Sequence, residues 1–152
     1  MTNVVDIIII NGPNLNLIGN RENSTYGECF IDSLDNILQK NAKSNDLKLE
    51  IFQSNSEAHI VDKIQSLPTI GCKYIIANFA AYTHTSIAIR DAVLAINIPI
   101  IEIHISNVFK RESFRQQSYI SDIADGIIIG FGLDVYIMAL DQIIKKIKED
   151  KK

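Results

Sequence analysis

Apolar residues recur along this chain with two different periods. Short β-favouring runs occupy residues 4–10, 47–52, 74–77, 98–103 and 126–129. Between and after them the spacing becomes helical. Phe30, Leu34, Ile37 and Leu38 share one face, as do Ile60, Val61, Ile64 and Leu67, then Ile87, Ala88, Val93 and Ile96, and finally Tyr136, Leu140, Ile143, Ile144 and Ile147. Strands alternating with helices predict an α/β fold whose parallel sheet is covered on both faces through right-handed crossovers. The first, third and fourth runs are almost continuously apolar, as strands buried on both faces are. In the second, Leu47, Leu49 and Ile51 alternate with Lys48 and Glu50, which suits a sheet edge.

Five such strands fit a flavodoxin-like three-layer fold of order 2-1-3-4-5, with its topological switch point between strands one and three. The polar residues gather accordingly. Residues 4–10 run into Asn11-Gly12-Pro13-Asn14-Leu15-Asn16, residues 74–77 into Asn78, Thr83, His84 and Thr85, and residues 98–103 into His104, Ser106, Asn107, Arg111 and Arg115. Those carboxyl ends share the sheet edge at which open α/β sheets bind ligands. Residues 17–27, polar and bounded by glycines, hold Arg21 and Tyr26 and are a candidate lid. A second polar stretch, residues 106–121, is expected to be partly helical around 112–117. A length of 152 residues fits one domain, 1–152, without repeats or linkers.

Charge and composition remove several function classes. A net charge of −3 offers no basic stripe for nucleic acid, and no segment is long and apolar enough for a membrane span. The lysines at 145, 146, 148, 151 and 152 fall in the last turns and tail of a helix, where cations complement the macrodipole. The start of the chain lacks the pattern of a signal peptide, so a cytoplasmic protein is expected. Cys29 and Cys72 lie outside any CxxC spacing, and His59, His84 and His104 lack zinc spacing. No GxSxG elbow accompanies the serines.

The polar clusters leave specific chemistry open. Asn14 can donate an amide N–H to a developing oxyanion, or serve as a turn residue. His84 and Asp91, seven apart on an expected helix, can meet one ligand; alternatively Thr83 caps that helix and His84 rests in its first turn. Glu102, His104 and Ser106 alternate on one face of a strand, so Glu102 can orient the imidazole while Ser106 and its backbone N–H meet an anion; alternatively His104 is a buried histidine with its hydrogen bonds simply satisfied. Arg111 and Arg115, one helical turn apart, suit an anionic pocket or a solvated face with Glu112.

Taken together and in order, these motifs resemble type II 3-dehydroquinate dehydratase (type II 3-dehydroquinase). The resemblance runs from Ile8 to about Leu140. It is carried by Asn11-Gly12-Pro13-Asn14-Leu15-Asn16-Leu17-Ile18-Gly19 with Arg21-Glu22 and Tyr26-Gly27, and by Gln53-Ser54-Asn55 with Glu57. Tyr82-Thr83-His84-Thr85-Ser86 with Arg90-Asp91-Ala92 follows, then Glu102-Ile103-His104-Ile105-Ser106-Asn107 with Arg111-Glu112 and Arg115. Four positions depart from the family pattern: Asn23 and Phe79 where proline is usual, and Ala58 and Val135 where glycine is usual.

The resemblance implies elimination of water from 3-dehydroquinate to 3-dehydroshikimate, in the shikimate route or in quinate breakdown, with no cofactor, metal or Schiff base. It implies that Tyr26, as phenolate, removes the C2 proton, that Asn14 stabilises the enolate through a water, and that His104 protonates the departing C1 hydroxyl. Asn78 and the backbone N–H groups of Ile105 and Ser106 would take the substrate carboxylate, and His84 and Arg115 the ring hydroxyls. Asp91 would come from a neighbouring subunit of a homo-oligomer, a dodecamer of trimers. A phenol of ordinary pKa near 10 is only about 0.1% ionised at pH 7, a cost of roughly 4 kcal/mol. One adjacent cation lowers a pKa by about 1 to 3 units, so Arg21 with Arg111 or Arg115 would meet that need. The competing reading is a flavodoxin-like nucleotide- or flavin-binding module, which the lack of a glycine-rich phosphate loop disfavours.

Overall fold

In the computed structural model, which describes residues 3–18 and 30–152, strands β1 (Ile7–Asn11), β2 (Leu49–Gln53), β3 (Tyr74–Asn78), β4 (Ile100–His104) and β5 (Gly126–Ile129) alternate with helices α1 (Phe30–Ser44), α2 (Glu57–Ser66), α3 (Ile87–Ile96) and α4 (Asp134–Asp150). The strands form one sheet of order β2-β1-β3-β4-β5. Every neighbouring pair is parallel. This is the flavodoxin-like order expected from the chain's periodicity.

The pleat divides the core. Ile7 and Ile9 face Leu34, Leu38 and Ala42 of α1 and the apolar stripe of α4 from Val135 to Ile144. Ile8 and Ile10 face the other way, onto Ile60 and Ile64 of α2 and Ile89, Ala92 and Val93 of α3. β1 is thus covered on both sides, and its four isoleucines are fully buried. The residues of the edge strand β2 are only half-buried.

The helical faces differ in detail from expectation. Ile37 and Ile87 are exposed, while Ala42 on α1 and Ile89 and Ala92 on α3 take core positions. More consequential is a break before α3. His84 ends a separate 3-10 turn, Ala80–His84, and the N-cap of α3 is Ser86, whose Oγ accepts the Ile89 N–H at 2.9 Å. His84 and Asp91 therefore do not share a helix, and Thr83 is not its cap. Arg111 and Arg115 likewise belong to two short 3-10 turns, Arg111 closing Val108–Lys110 and Arg115 ending Ser113–Arg115, rather than to one helical turn.

Phe79 and Val135 are fully buried, the first in the core beneath α2 and α3 and the second on the first turn of α4, in the core that α4 shares with α1. Ala58 is exposed on α2. Arg21, Asn23, Tyr26 and all but Leu17 and Ile18 of the expected lid lie outside the described residues.

Candidate active site

The carboxyl ends of β1, β3 and β4 converge on a cleft of about 360 Å³ lined by Asn14, Asn78, His84, His104, Ser106 and Arg115 among others. Each strand delivers its residues by a distinct local device.

After β1, the backbone of Gly12 lies against Phe79: a Cβ at Gly12 would stand 2.2 Å from the Phe79 carbonyl oxygen. Only glycine permits that approach, and it lets the Gly12 N–H donate to the Asn78 carbonyl at 2.8 Å. Asn14 follows in the left-handed region, φ 67°, which asparagine tolerates better than most residues. Its N–H donates to Asn55 Oδ1 at 3.0 Å, and Gln53 Nε2 donates to Gly12 O and to Asn55 Oδ1, both at 3.1 Å. The Gln53-Ser54-Asn55 segment at the end of β2 thus clamps the Asn14 loop from the side.

β3 ends on Asn78, which is buried yet lines the cleft. In register with it on β1 stands Asn11. The hydroxyl of Tyr136, from α4, donates to Asn11 Oδ1 at 2.6 Å and accepts from Asn78 Nδ2 at 3.1 Å. The 3-10 turn after β3 carries His84 into the cleft, where its Nδ1 lies 2.7 Å from the Gln117 carbonyl. A carbonyl can only accept, so Nδ1 carries the proton and neutral His84 presents Nε2 as an acceptor.

β4 supplies the most enclosed group. Glu102 is 1% exposed and His104 7%. His104 Nε2 lies 2.7 Å from Glu102 Oε1, Ser118 Oγ donates to the same oxygen at 2.8 Å, and Ser121 Oγ donates to Oε2 at 2.5 Å. Burial by itself would push the Glu102 carboxyl up; the hydrogen bonds from His104, Ser121 and Ser118 outweigh it and hold the group below the ordinary carboxylate range. An ionised Glu102 fixes the proton on Nε2, which leaves Nδ1 as the His104 nitrogen able to serve the cleft. The rings of His84 and His104 lie nearly parallel, 21° apart, with centroids 6.2 Å apart.

The rim is cationic. Arg111 and Arg115 line the cleft, and no carboxylate does so among the described residues. Arg111 Nη1 lies 3.4 Å from Ser106 Oγ. Arg115 Nε donates to Glu112 Oε2 at 2.7 Å and the guanidinium covers the Phe114 ring. Both arginines border the cleft and share Glu112. Ile105 and Ser106 line the cleft beyond β4, whereas Asp91 is exposed on α3 and does not.

Of the groups expected at the site, the cleft brings together Asn14, Asn78, His84, His104, Ile105, Ser106, Arg111 and Arg115, with Glu102 directly behind. Ser118, Ser121, Asn11 and Tyr136 complete the hydrogen bonding and were not read from the chain as site residues. Ser118 and Ser121 sit in a polar stretch that periodicity leaves blank, and Tyr136 announces itself only as an apolar helix position.

Comparison with known proteins is consistent throughout. The model of the family described as Dehydroquinase class II matches residues 5–144. The 3-dehydroquinate dehydratase of Francisella philomiragia is 54% identical over 143 residues, covering 94% of this chain and 97% of that protein. The crystal structure of type II dehydroquinase from Butyrivibrio crossotus superposes with a TM-score of 0.83 at 45% identity, covering 91% of this chain and 97% of that one. That of the enzyme from Propionibacterium acnes gives 0.83 at 34% identity, with coverages of 95% and 99%.

Proposed function

The chain belongs to the class II dehydroquinase family, and from that premise we propose that it eliminates water from 3-dehydroquinate to give 3-dehydroshikimate. The observation that carries this reading is the buried Glu102–His104 pair beneath an arginine-bordered cleft, at the strand ends where the family's motifs fall.

The chemistry follows from the substrate. Its ketone acidifies the C2 proton, so a single base forms an enolate. Tyr26, as phenolate, takes that proton, Arg21 lowers the cost of its ionisation, and Asn14 at the β1 loop stabilises the enolate oxygen. As the enolate collapses, the C1–O bond breaks and the Nδ1 proton of an imidazolium His104 passes to the departing hydroxyl, which leaves as water. Glu102 supports that step because its carboxylate stabilises the cationic ring that carries the proton. The substrate carboxylate meets Asn78 and the backbone N–H groups of Ile105 and Ser106; His84 and Arg115 hold the ring hydroxyls; Arg111 adds positive potential over the cleft. The cationic rim and the absence of a lining carboxylate among the described residues support an anionic ligand. A homododecamer built from trimers is part of the same reading, since Asp91, exposed on α3, is then supplied to a neighbouring subunit's cleft. The cytoplasm is the compartment that fits.

Incubating the protein with 3-dehydroquinate and following the ultraviolet absorbance of the conjugated product tests the reaction directly. Steady accumulation of product is the expected result. Folded protein that leaves the substrate unchanged sinks the proposal.

A further inference from the structure

The Asn11–Tyr136–Asn78 chain has a direction. A phenol has one proton to give, and Tyr136 gives it to Asn11 Oδ1. Toward Asn78 the same oxygen can then only accept, so the nitrogen of the Asn78 amide must face Tyr136. The amide oxygen is turned the other way, where it accepts the Ala80 N–H at 3.3 Å. Ala80 itself has φ 52°, so the turn that aims this N–H is in the left-handed region. One Asn78 N–H is thereby committed to Tyr136, and the second remains for the cleft that Asn78 lines.

From this we infer that Tyr136 is a positioning residue: with Asn11 as its acceptor, it locks the Asn78 amide with a donor N–H, rather than the carbonyl oxygen, toward the anionic group of the substrate. The inference rests on the proposed function for the identity of that anion. Its geometry stands apart from that reading. Tyr136 is 4% exposed and Asn78 3%, so water does not compete for the lock. Burial pushes the Tyr136 phenol far above its ordinary value, so it keeps the proton on which the direction depends. A flipped Asn78 would aim an oxygen at a carboxylate, replacing attraction by repulsion. A lock of this kind acts alike on the bound substrate and the transition state, so its loss belongs in KM.

Three variants test this in the full-length enzyme. Tyr136→Phe keeps the ring and removes the hydroxyl, and KM for 3-dehydroquinate is expected to rise about three- to tenfold with kcat held within about twofold. Asn11→Ala is expected to shift KM in the same direction, although Asn11 does not line the cleft, because it frees the phenol to turn its proton toward Asn78. In an Asn78→Ala background, adding Tyr136→Phe is expected to leave KM where Asn78→Ala alone puts it. Unchanged KM in Asn11→Ala, or a Tyr136→Phe effect of full size without Asn78, overturns the inference; Asn11→Ala decides alone if Tyr136→Phe does not fold. Should the wild-type protein lack dehydratase activity, the proposed function fails and the lock remains testable. The Asn78 side-chain N–H signal in nitrogen-15 spectra is expected to exchange slowly with solvent in the wild type and rapidly in Tyr136→Phe. Equal exchange in the two proteins refutes the lock.

Discussion

The floor and the rim of the cleft are built on opposite principles. On the floor, Glu102, His104 and Asn78 are buried, and each is held by hydrogen bonds to neighbouring protein groups: Ser118 and Ser121 on Glu102, Glu102 on His104, Tyr136 on Asn78. On the rim, Asn14 is exposed, and Arg111 and Arg115 share one exposed carboxylate, Glu112. A buried polar group must be satisfied before substrate arrives, because water cannot stand in for a missing partner. Exposed Arg111 and half-buried Arg115 both reach solvent, so neither has such a requirement, and each can exchange the exposed Glu112 for a ligand anion at little cost, since solvent-accessible ion pairs contribute little. The floor therefore fixes proton positions, and the rim supplies a field that adapts to what enters.

The largest effect expected is on the floor. His104→Ala removes the proposed acid, and kcat should fall by about 10²- to 10⁴-fold. Proton exchange at C2 of the substrate should persist, because the enolate forms before the hydroxyl departs; nuclear magnetic resonance in deuterated water reads that exchange. Parallel loss of exchange and dehydration would assign His104 to the first step as well, and the floor would no longer be confined to the departure of water.

How much of this contrast was legible in the chain depends on which physical rule set each residue. Sheet order and the convergence of three strand ends follow from apolar runs and their polar terminations, which depend on burial alone. The pairing of Glu102 with His104 was legible because residues two apart on a strand share a face. The break between His84 and α3 was not: a polar Thr-His-Thr-Ser segment serves a 3-10 turn or a first helical turn equally well, and only the Ser86 cap decides. The strand expected from residue 4 begins at Ile7, and Asp6 just before it accepts the Lys48 N–H at 2.9 Å and the Lys73 ammonium at 2.8 Å. Ser118 and Ser121 reach Glu102 across 16 and 19 residues, and no local pattern encodes such a return. Tyr136 was read correctly as core, yet a helical period reports burial and is silent about where a hydroxyl points.

A second, smaller effect sharpens the contrast through pH. The folded protein holds the Glu102 carboxyl below its ordinary value near 4.5, so the unfolded chain binds that proton more readily. The group's contribution to stability is therefore present above about pH 4.5 and is lost as the pH falls through the lower folded value. Glu102→Gln removes that titration. The wild type should melt at the higher temperature near neutrality, and the gap between the two proteins should narrow on acidification below the ordinary carboxylate range. Asp6 and Asp122, held low by hydrogen bonds from Lys73 and Arg90, and Glu112, held low by its own backbone and Arg115, are present in both proteins and cancel in the difference. A gap independent of pH would mean that Glu102 is not the ionised, hydrogen-bonded group on which the floor is built.

The smallest effect is expected on the rim, and its smallness is the point. Glu112 is 54% exposed at its side chain, and its hydrogen bond to Arg115 Nε is open to solvent. Its carboxyl is held low by hydrogen bonding to its own backbone and by Arg115, yet solvent and salt screen such a pair within a Debye length of about 8 Å at physiological ionic strength. Glu112→Gln should leave the melting temperature unchanged within measurement and alter KM by less than about twofold. The modest change it does produce should shrink further as salt is added, because releasing Arg115 alters only the field over the cleft. A fall in kcat approaching that expected of His104→Ala, persisting at high salt, would show that Glu112 holds Arg115 in one required geometry. The rim would then be as rigidly wired as the floor, and the division of labour between them would fail.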